Sequence, residues 1–272
     1  MLAGLRSTIH SQDGEDGLLE ALFARIGGKP GYFVEFGAWD GRFNSNTFHL
    51  YESLGWTGCY IEGDAERFKD LLGNVDPERI EALNVFVMPK GGNSLDAILS
   101  GTRCPKEFDV LSIDIDSDDH AIWKGFTGYR PKIVIIEYNP TIPNSSDYVQ
   151  PPGSHIGNSA GALYKLGRVK GYDLIDATKT NLIFCRTDLL DTFGVTAVDL
   201  ATARPDVGHV FFGYDGSVQV TGRMTSHPWT GKSLHTTVTG QEPSLSEIRK
   251  LLSRKLRRVM RGLRAKATSR AG

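Results

Sequence analysis

Between residues 11 and 186 the chain alternates between two hydrophobic rhythms. Short, nearly continuous apolar runs fall at YFVEFG (32–37), GCYIEGD (58–64), ALNVFVM (82–88), FDVLSIDID (108–116) and KIVIIEYN (132–139). Runs of this length, bounded by glycine or acid, read as strands buried on both faces. Helical spacing separates them near 45–55, 65–73, 93–100 and 118–126, and returns at 159–170. Ahead of the first strand, Leu18, Leu19, Leu22, Phe23 and Ile26 form one helical stripe. Ser11 is placed to cap that helix, acids load its first turn, and a Gly-Gly-Lys-Pro-Gly stretch (27–31) ends it. YDLIDAT (172–178) and NLIFCR (181–186) lie too close together for a crossover helix, so they predict an antiparallel hairpin.

Strands that alternate with helices predict an α/β fold with a parallel sheet covered on both faces. The expected architecture is Rossmann-like: a mostly parallel seven-stranded sheet with a C-terminal antiparallel hairpin and helices on both faces. We place one domain at 1–240, with its core at 11–190. Residues 191–240 hold isolated strand-like pieces (GHVFFGY, VQVTG) and a loop around His227. They read as a substrate-side insertion, a small subdomain, or surface decoration. Residues 241–272 form a separate tail.

Charge sharpens that last boundary. The whole chain of 272 residues has a formal net charge of −1. From residue 244 onward there are ten Lys and Arg against one acid, a local net of +9, which leaves −10 on the rest. Apolar residues at 245, 248, 251, 252, 256, 259, 260 and 263 give the tail a helical stripe with a basic opposite face. A basic amphipathic helix suits an anionic membrane surface. Packing on the acidic body, or at a contact between two copies in a homo-oligomer, is the competing use, and nucleic acid is the weaker reading. The three cysteines show no metal or redox spacing, which fits buried thiols in a reducing compartment. The first twenty residues have no long apolar core, and the longest aliphatic run, at 133–136, is far too short to span a bilayer. The expectation is a cytoplasmic protein, peripheral at the inner face of the membrane if the tail binds there.

Ligands of open parallel sheets bind beyond the carboxyl ends of the strands, so those ends carry the candidate chemistry. The first strand ends in Glu35, Gly37 and Gly41, a G-x-x-x-G turn and not the G-x-G-x-x-G of dinucleotide sites. The second ends in Glu62, placed to take the hydroxyls of a ribose. The fourth delivers Asp114 and Asp116, and the fifth Glu137 and Asn139. If these two strands are neighbours, three carboxylates and an amide oxygen converge as hard ligands suited to Mg2+. In an extended segment Asp114 and Asp116 would share one side. Asp118 and Asp119 fit the opening of the next helix better. His120 is a candidate general base, with His155 a second.

The ordered set SQDGEDG, FVEFGAWDG with SNT at 45–47, GWTGCYIEGDAERF, LSIDID and RPKIVIIEYN resembles the FkbM-like methyltransferases, class I enzymes that use S-adenosylmethionine. The resemblance spans about residues 11–186. It implies that Glu35, Gly37 and Gly41 shape the cofactor loop, that Glu62 binds the ribose, and that Asp114 lies beside the methionine part and the reaction centre. The SQDGED segment would fold over the cofactor, with Gln12 as a contact. Asp114 with Glu137 and Asn139 is also similar to the Mg2+ ligands of catechol and macrolide-sugar O-methyltransferases. The acid and amide are here separated by Tyr138, and the catechol-type lysine base has no clear match; Lys124 lies well along the next helix. The activity implied is O-methylation of a sugar, glycan or related natural product. The alternatives are a nucleotide- or NAD-dependent enzyme, against which the glycine spacing and hairpin count, and a non-catalytic module on the same fold.

Overall fold

The computed structural model describes residues 2–203, 209–212 and 218–221. Seven strands form one sheet: β1 (Tyr32–Phe36), β2 (Thr57–Glu62), β3 (Ile80–Asn84), β4 (Val110–Ile113), β5 (Ile133–Glu137), β6 (Tyr172–Ala177) and β7 (Asn181–Arg186). Their order is β3-β2-β1-β4-β5-β7-β6. The first five pair in parallel, and β7 runs antiparallel between β5 and β6. This is the Rossmann-like, mostly parallel seven-stranded sheet with a C-terminal antiparallel hairpin that the strand pattern predicts.

Successive residues of each strand feed opposite cores, both apolar. Val34, Phe36, Leu111, Ile113, Val134 and Ile136 pack with α4 (Leu95–Leu99), α5 (Asp119–Gly125) and α6 (Ala160–Val169). Phe33, Tyr60, Val110, Ile133 and Ile135 pack with α1 (Glu15–Arg25), α2 (Phe48–Leu54) and Leu71 of α3 (Ala65–Asn74). Two apolar faces explain why the runs are nearly continuous instead of alternating. Short helices α7 (Leu190–Phe193) and α8 (Leu200–Ala203) follow β7. Cys59, Cys104 and Cys185 are buried free thiols.

Three expected boundaries move, each for a local reason. β3 spans Ile80–Asn84, earlier than 82–88. Its register with β2 runs out at Glu62↔Asn84, where Asn84 Nδ2 donates to the Glu62 and Gly63 carbonyls. β4 stops at Ile113, because the next residues enter a turn. Helix α1 starts at Glu15 with Gly14 at its cap position (φ 90°), and Ser11 does not cap it.

The chain divides into a unit at Met1–His209 and a second at Val210–Gly272. Strands β8 (His209–Phe212) and β9 (Val218–Thr221) pair with each other. Most of the 191–240 reading beyond residue 203, and the whole basic tail, lie outside the described residues. Among the described residues no helix is long and apolar enough to cross a membrane.

Candidate functional site

The sheet order reverses between β1 and β4, and the crevice at such a point is where open sheets bind ligands. Gly37 sits at its centre with φ 75°. A Cβ there would lie 1.6 Å from the carbonyl oxygen of Asp114. The close approach that requires this glycine is to the end of the neighbouring strand. Gly41 (φ 74°) closes the same loop, its N–H donating to the Ala38 carbonyl at 2.7 Å.

Glu62 ties the loop to β2. Its two oxygens accept from Trp39 N–H at 2.8 Å and Asp64 N–H at 2.7 Å. The carboxylate is buried, yet each oxygen keeps a second lone pair. Glu35 behaves differently. It is buried and accepts from Ser45 Oγ, Asn46 N–H and Thr47 Oγ1. Burial pushes its carboxyl up, and those hydrogen bonds partly offset the push. Glu35 thus fixes the 45–47 turn that leads into α2. Asn46 Nδ2 reaches on to Ser112 Oγ on β4.

The acidic stretch after β4 is a turn and not an extended strand. Asp116 has φ 58°. Asp119 is fully buried and accepts from Ile115 N–H at 3.0 Å and Ser117 N–H at 2.9 Å. Asp118 occupies the cap position of α5 without a side-chain cap bond, and accepts instead from Gln150 Nε2. Strand alternation therefore cannot be what brings Asp114 and Asp116 together. The turn does so, and ligand oxygens of Asp114, Asp116 and Glu137 all lie within 4.8 Å of one another. Among the described residues no Lys or Arg pairs with any of the three. Two such charges repel by about 3–4 kcal/mol in a half-buried setting. Burial first, and then the neighbouring carboxylates, push Asp114 and Glu137 well above the usual carboxylate range. Burial raises Asp119 to about 6.

Asn139 does not join this group. Its Oδ1 accepts from both Thr141 N–H and Thr141 Oγ1, and its Nδ2 donates to the Ile156 carbonyl at 2.6 Å. The amide organises the loop from 140 to 158 instead. That loop is bound back to the acidic turn through Gln150 and through Asn158 Nδ2, which donates to the Ser117 carbonyl. A different amide stands beside Glu137: Asn181, its register partner on β7, whose buried Oδ1 has no donor. No local motif marks Asn181, so only the hairpin register finds it.

His120 is the second residue of α5 and half-buried. Burial and Lys124 hold its imidazole below the ordinary histidine range, so it is neutral at physiological pH and able to accept a proton. His155 is exposed on the 140–158 loop, and Gln12 is exposed ahead of α1. The acids beside Gln12 are the organised part of its segment. Asp16, fully buried, accepts from the N–H groups of His10, Ser11 and Gly17 and from Ser11 Oγ. Glu15, also fully buried, accepts from Asp13 N–H, Thr178 Oγ1 and Asn181 Nδ2. The segment is thereby latched to the β6–β7 turn. Asp16→Ala strands several buried donors and is expected to lower stability by about 3 kcal/mol in urea unfolding.

No protein-family model matches the chain, and no curated protein matches it. Solved structures are similar to part of it. One is a SAM dependent methyltransferase from Aquifex aeolicus, at 12% identity over 61% of this chain and 87% of that one, TM-score 0.39. Another is the fibrillarin pre-rRNA processing protein of Methanococcus jannaschii, at 13% identity over 58% and 67%, TM-score 0.41. A third is the CMeT domain of the citrinin polyketide synthase, at 15% identity over 63% and 51%, TM-score 0.43. Likeness at this level concerns the fold alone, and the strand order and site geometry carry the functional reading.

Proposed function

We propose that the protein is an S-adenosylmethionine-dependent O-methyltransferase of the FkbM-like kind, acting on a hydroxyl of a sugar, glycan or related natural product. The observation that carries this reading is the pairing of two sites across the crevice. Glu62 holds the glycine turn of β1 on one side, and Asp114, Asp116 and Glu137 cluster on the other.

Glu62 has the free lone pairs to take a ribose diol, with Gly37, Gly41 and the Trp39 backbone shaping the turn beside it. Bound S-adenosylmethionine would supply an electrophilic methyl group on a sulfonium. Asp114 is placed to orient that end, and the walls of the crevice to align methyl and acceptor oxygen in line. The oxygen-only acid group fits a hard cation, which would relieve its repulsion. Mg2+ held by Asp114, Asp116 and Glu137 would lower the pKa of an acceptor hydroxyl. Neutral His120, at Nδ1 or Nε2, is the base able to take the released proton. The exposed loop around His155, held against the acidic turn by Gln150 and Asn158, borders the acceptor side.

The test is transfer of labelled methyl from S-adenosylmethionine to a panel of free sugars, glycans and phenolic acceptors. Product is expected with at least one hydroxyl acceptor, and a chelator is expected to suppress it by about tenfold or more. Absence of transfer to every acceptor, together with absence of cofactor binding, counts against the reading.

A further inference from the structure

Among the described residues, three non-glycines have positive φ: Trp39 (51°), Asn44 (57°) and Asp116 (58°). Asn and Asp tolerate the left-handed region, because their short polar side chains bond locally. A tryptophan has no such relief. Burial does not compensate Trp39 either, because the residue is 46% exposed. The surroundings nevertheless hold it there. Glu62 Oε2 accepts its N–H at 2.8 Å, and the Arg67 guanidinium lies over the ring at 4.1 Å. Phe43, itself exposed, meets the ring at 6.0 Å and 66°. Backbone strain kept in place by its neighbours points to function.

The place of that ring says which function. Glu62 ends β2, and Trp39 hangs on it from the β1 side. On the β3 side the exposed ring of Phe86 packs against Gly63, where an added Cβ would sit 2.2 Å from Phe86 Cδ1. A buried carboxylate with spare lone pairs is thus flanked by two exposed aromatic rings and one guanidinium. A carboxylate recognises a sugar diol, and a preset flat ring beside it recognises a base.

We propose that Trp39 is a nucleoside-binding residue, its strained backbone presenting the indole to the base of the nucleoside whose ribose Glu62 holds. This rests on the ribose role of Glu62 in the reading above, but not on methyl transfer. The strain separates a binding role from a structural one. Trp39→Gly relaxes the backbone, so thermal unfolding is expected at an unchanged or higher temperature. Calorimetric titration with S-adenosylhomocysteine is expected to show affinity about fivefold or more weaker, the scale of one lost base stack. Trp39→Phe keeps a ring and is expected to restore most of that affinity, while losing the quench of indole fluorescence seen on binding in the wild type. AMP is the second probe. Wild type that binds AMP through Trp39 but not S-adenosylhomocysteine would sustain the nucleoside site and overturn the methyltransferase reading. Equal affinity of wild type and Trp39→Gly for S-adenosylhomocysteine would overturn the inference. So would a Trp39→Gly protein that melts several degrees lower, which would make the indole a structural prop.

Discussion

Gly37→Ala is expected to cost at least about 4 kcal/mol, enough to leave little folded protein. The new Cβ would stand 1.6 Å from the Asp114 carbonyl oxygen and 2.7 Å from its carbonyl carbon. Both are backbone atoms, so no rotamer change relieves the clash. The positive φ of 75° adds about 1 kcal/mol more for a residue with a Cβ. Relief requires the end of β1 to part from the end of β4, which opens the crevice where the sheet order reverses. Gly41→Ala makes the control: its Cβ would meet a side-chain atom, Leu71 Cγ, at 3.2 Å and not backbone, so a shift of a few tenths of an ångström suffices and about 1–2 kcal/mol is expected, most of it from φ. Urea unfolding of the two variants checks the contrast. A Gly37→Ala protein within 1 kcal/mol of wild type would contradict the close approach.

The second large effect is a trade between stability and activity at Asp114. Under the proposed activity, Asp114→Asn is expected to cut methyl transfer by about a hundredfold or more, because it would remove one charged oxygen from the proposed cation site. The same change is expected to stabilise the protein near neutral pH without a cation. The sign follows from linkage. Asp114 and Glu137 have pKa values raised in the folded state. Their contribution to stability is fully present below the ordinary carboxylate range and is lost as pH rises through the folded values. Wild-type protein should therefore melt lower as the pH climbs from acidic towards neutral, and added Mg2+ should reverse the fall. The variant should show a flatter profile and little response to Mg2+. Thermal scans across pH with and without Mg2+ check this. A variant as active as wild type, or less stable at neutral pH, would remove Asp114 from the site.

Much of this architecture is legible in the sequence because both sheet faces are apolar. Runs such as IVII at 133–136 and the pair at 172–186 leave few alternative placements. The strand ends are less legible because side-chain bonds decide them. Asp119 turns the chain away from β4, and Asn84 closes the β3 edge. The chemistry divides the same way. Strand order brings Asp114 and Glu137 to neighbouring strand ends once β4 and β5 pair, whereas Asp116 joins them through the turn, which the extended-strand reading does not foresee. Asn139 fails because the amide is consumed by its own loop, and Asn181 is missed because only the register of an antiparallel strand places it beside Glu137. Glu15 and Asp16 read as helix-start acids, yet both are buried latches whose partners lie on the N-terminal segment and on the distant hairpin.

Calorimetric titration of S-adenosylhomocysteine into wild type and Glu62→Ala tests cofactor binding at the end of β2. Micromolar-range binding by wild type is expected, with Glu62→Ala weaker by about tenfold or more, the scale of lost hydrogen bonds to a charged group. No binding to wild-type protein, with or without Mg2+, would contradict the account.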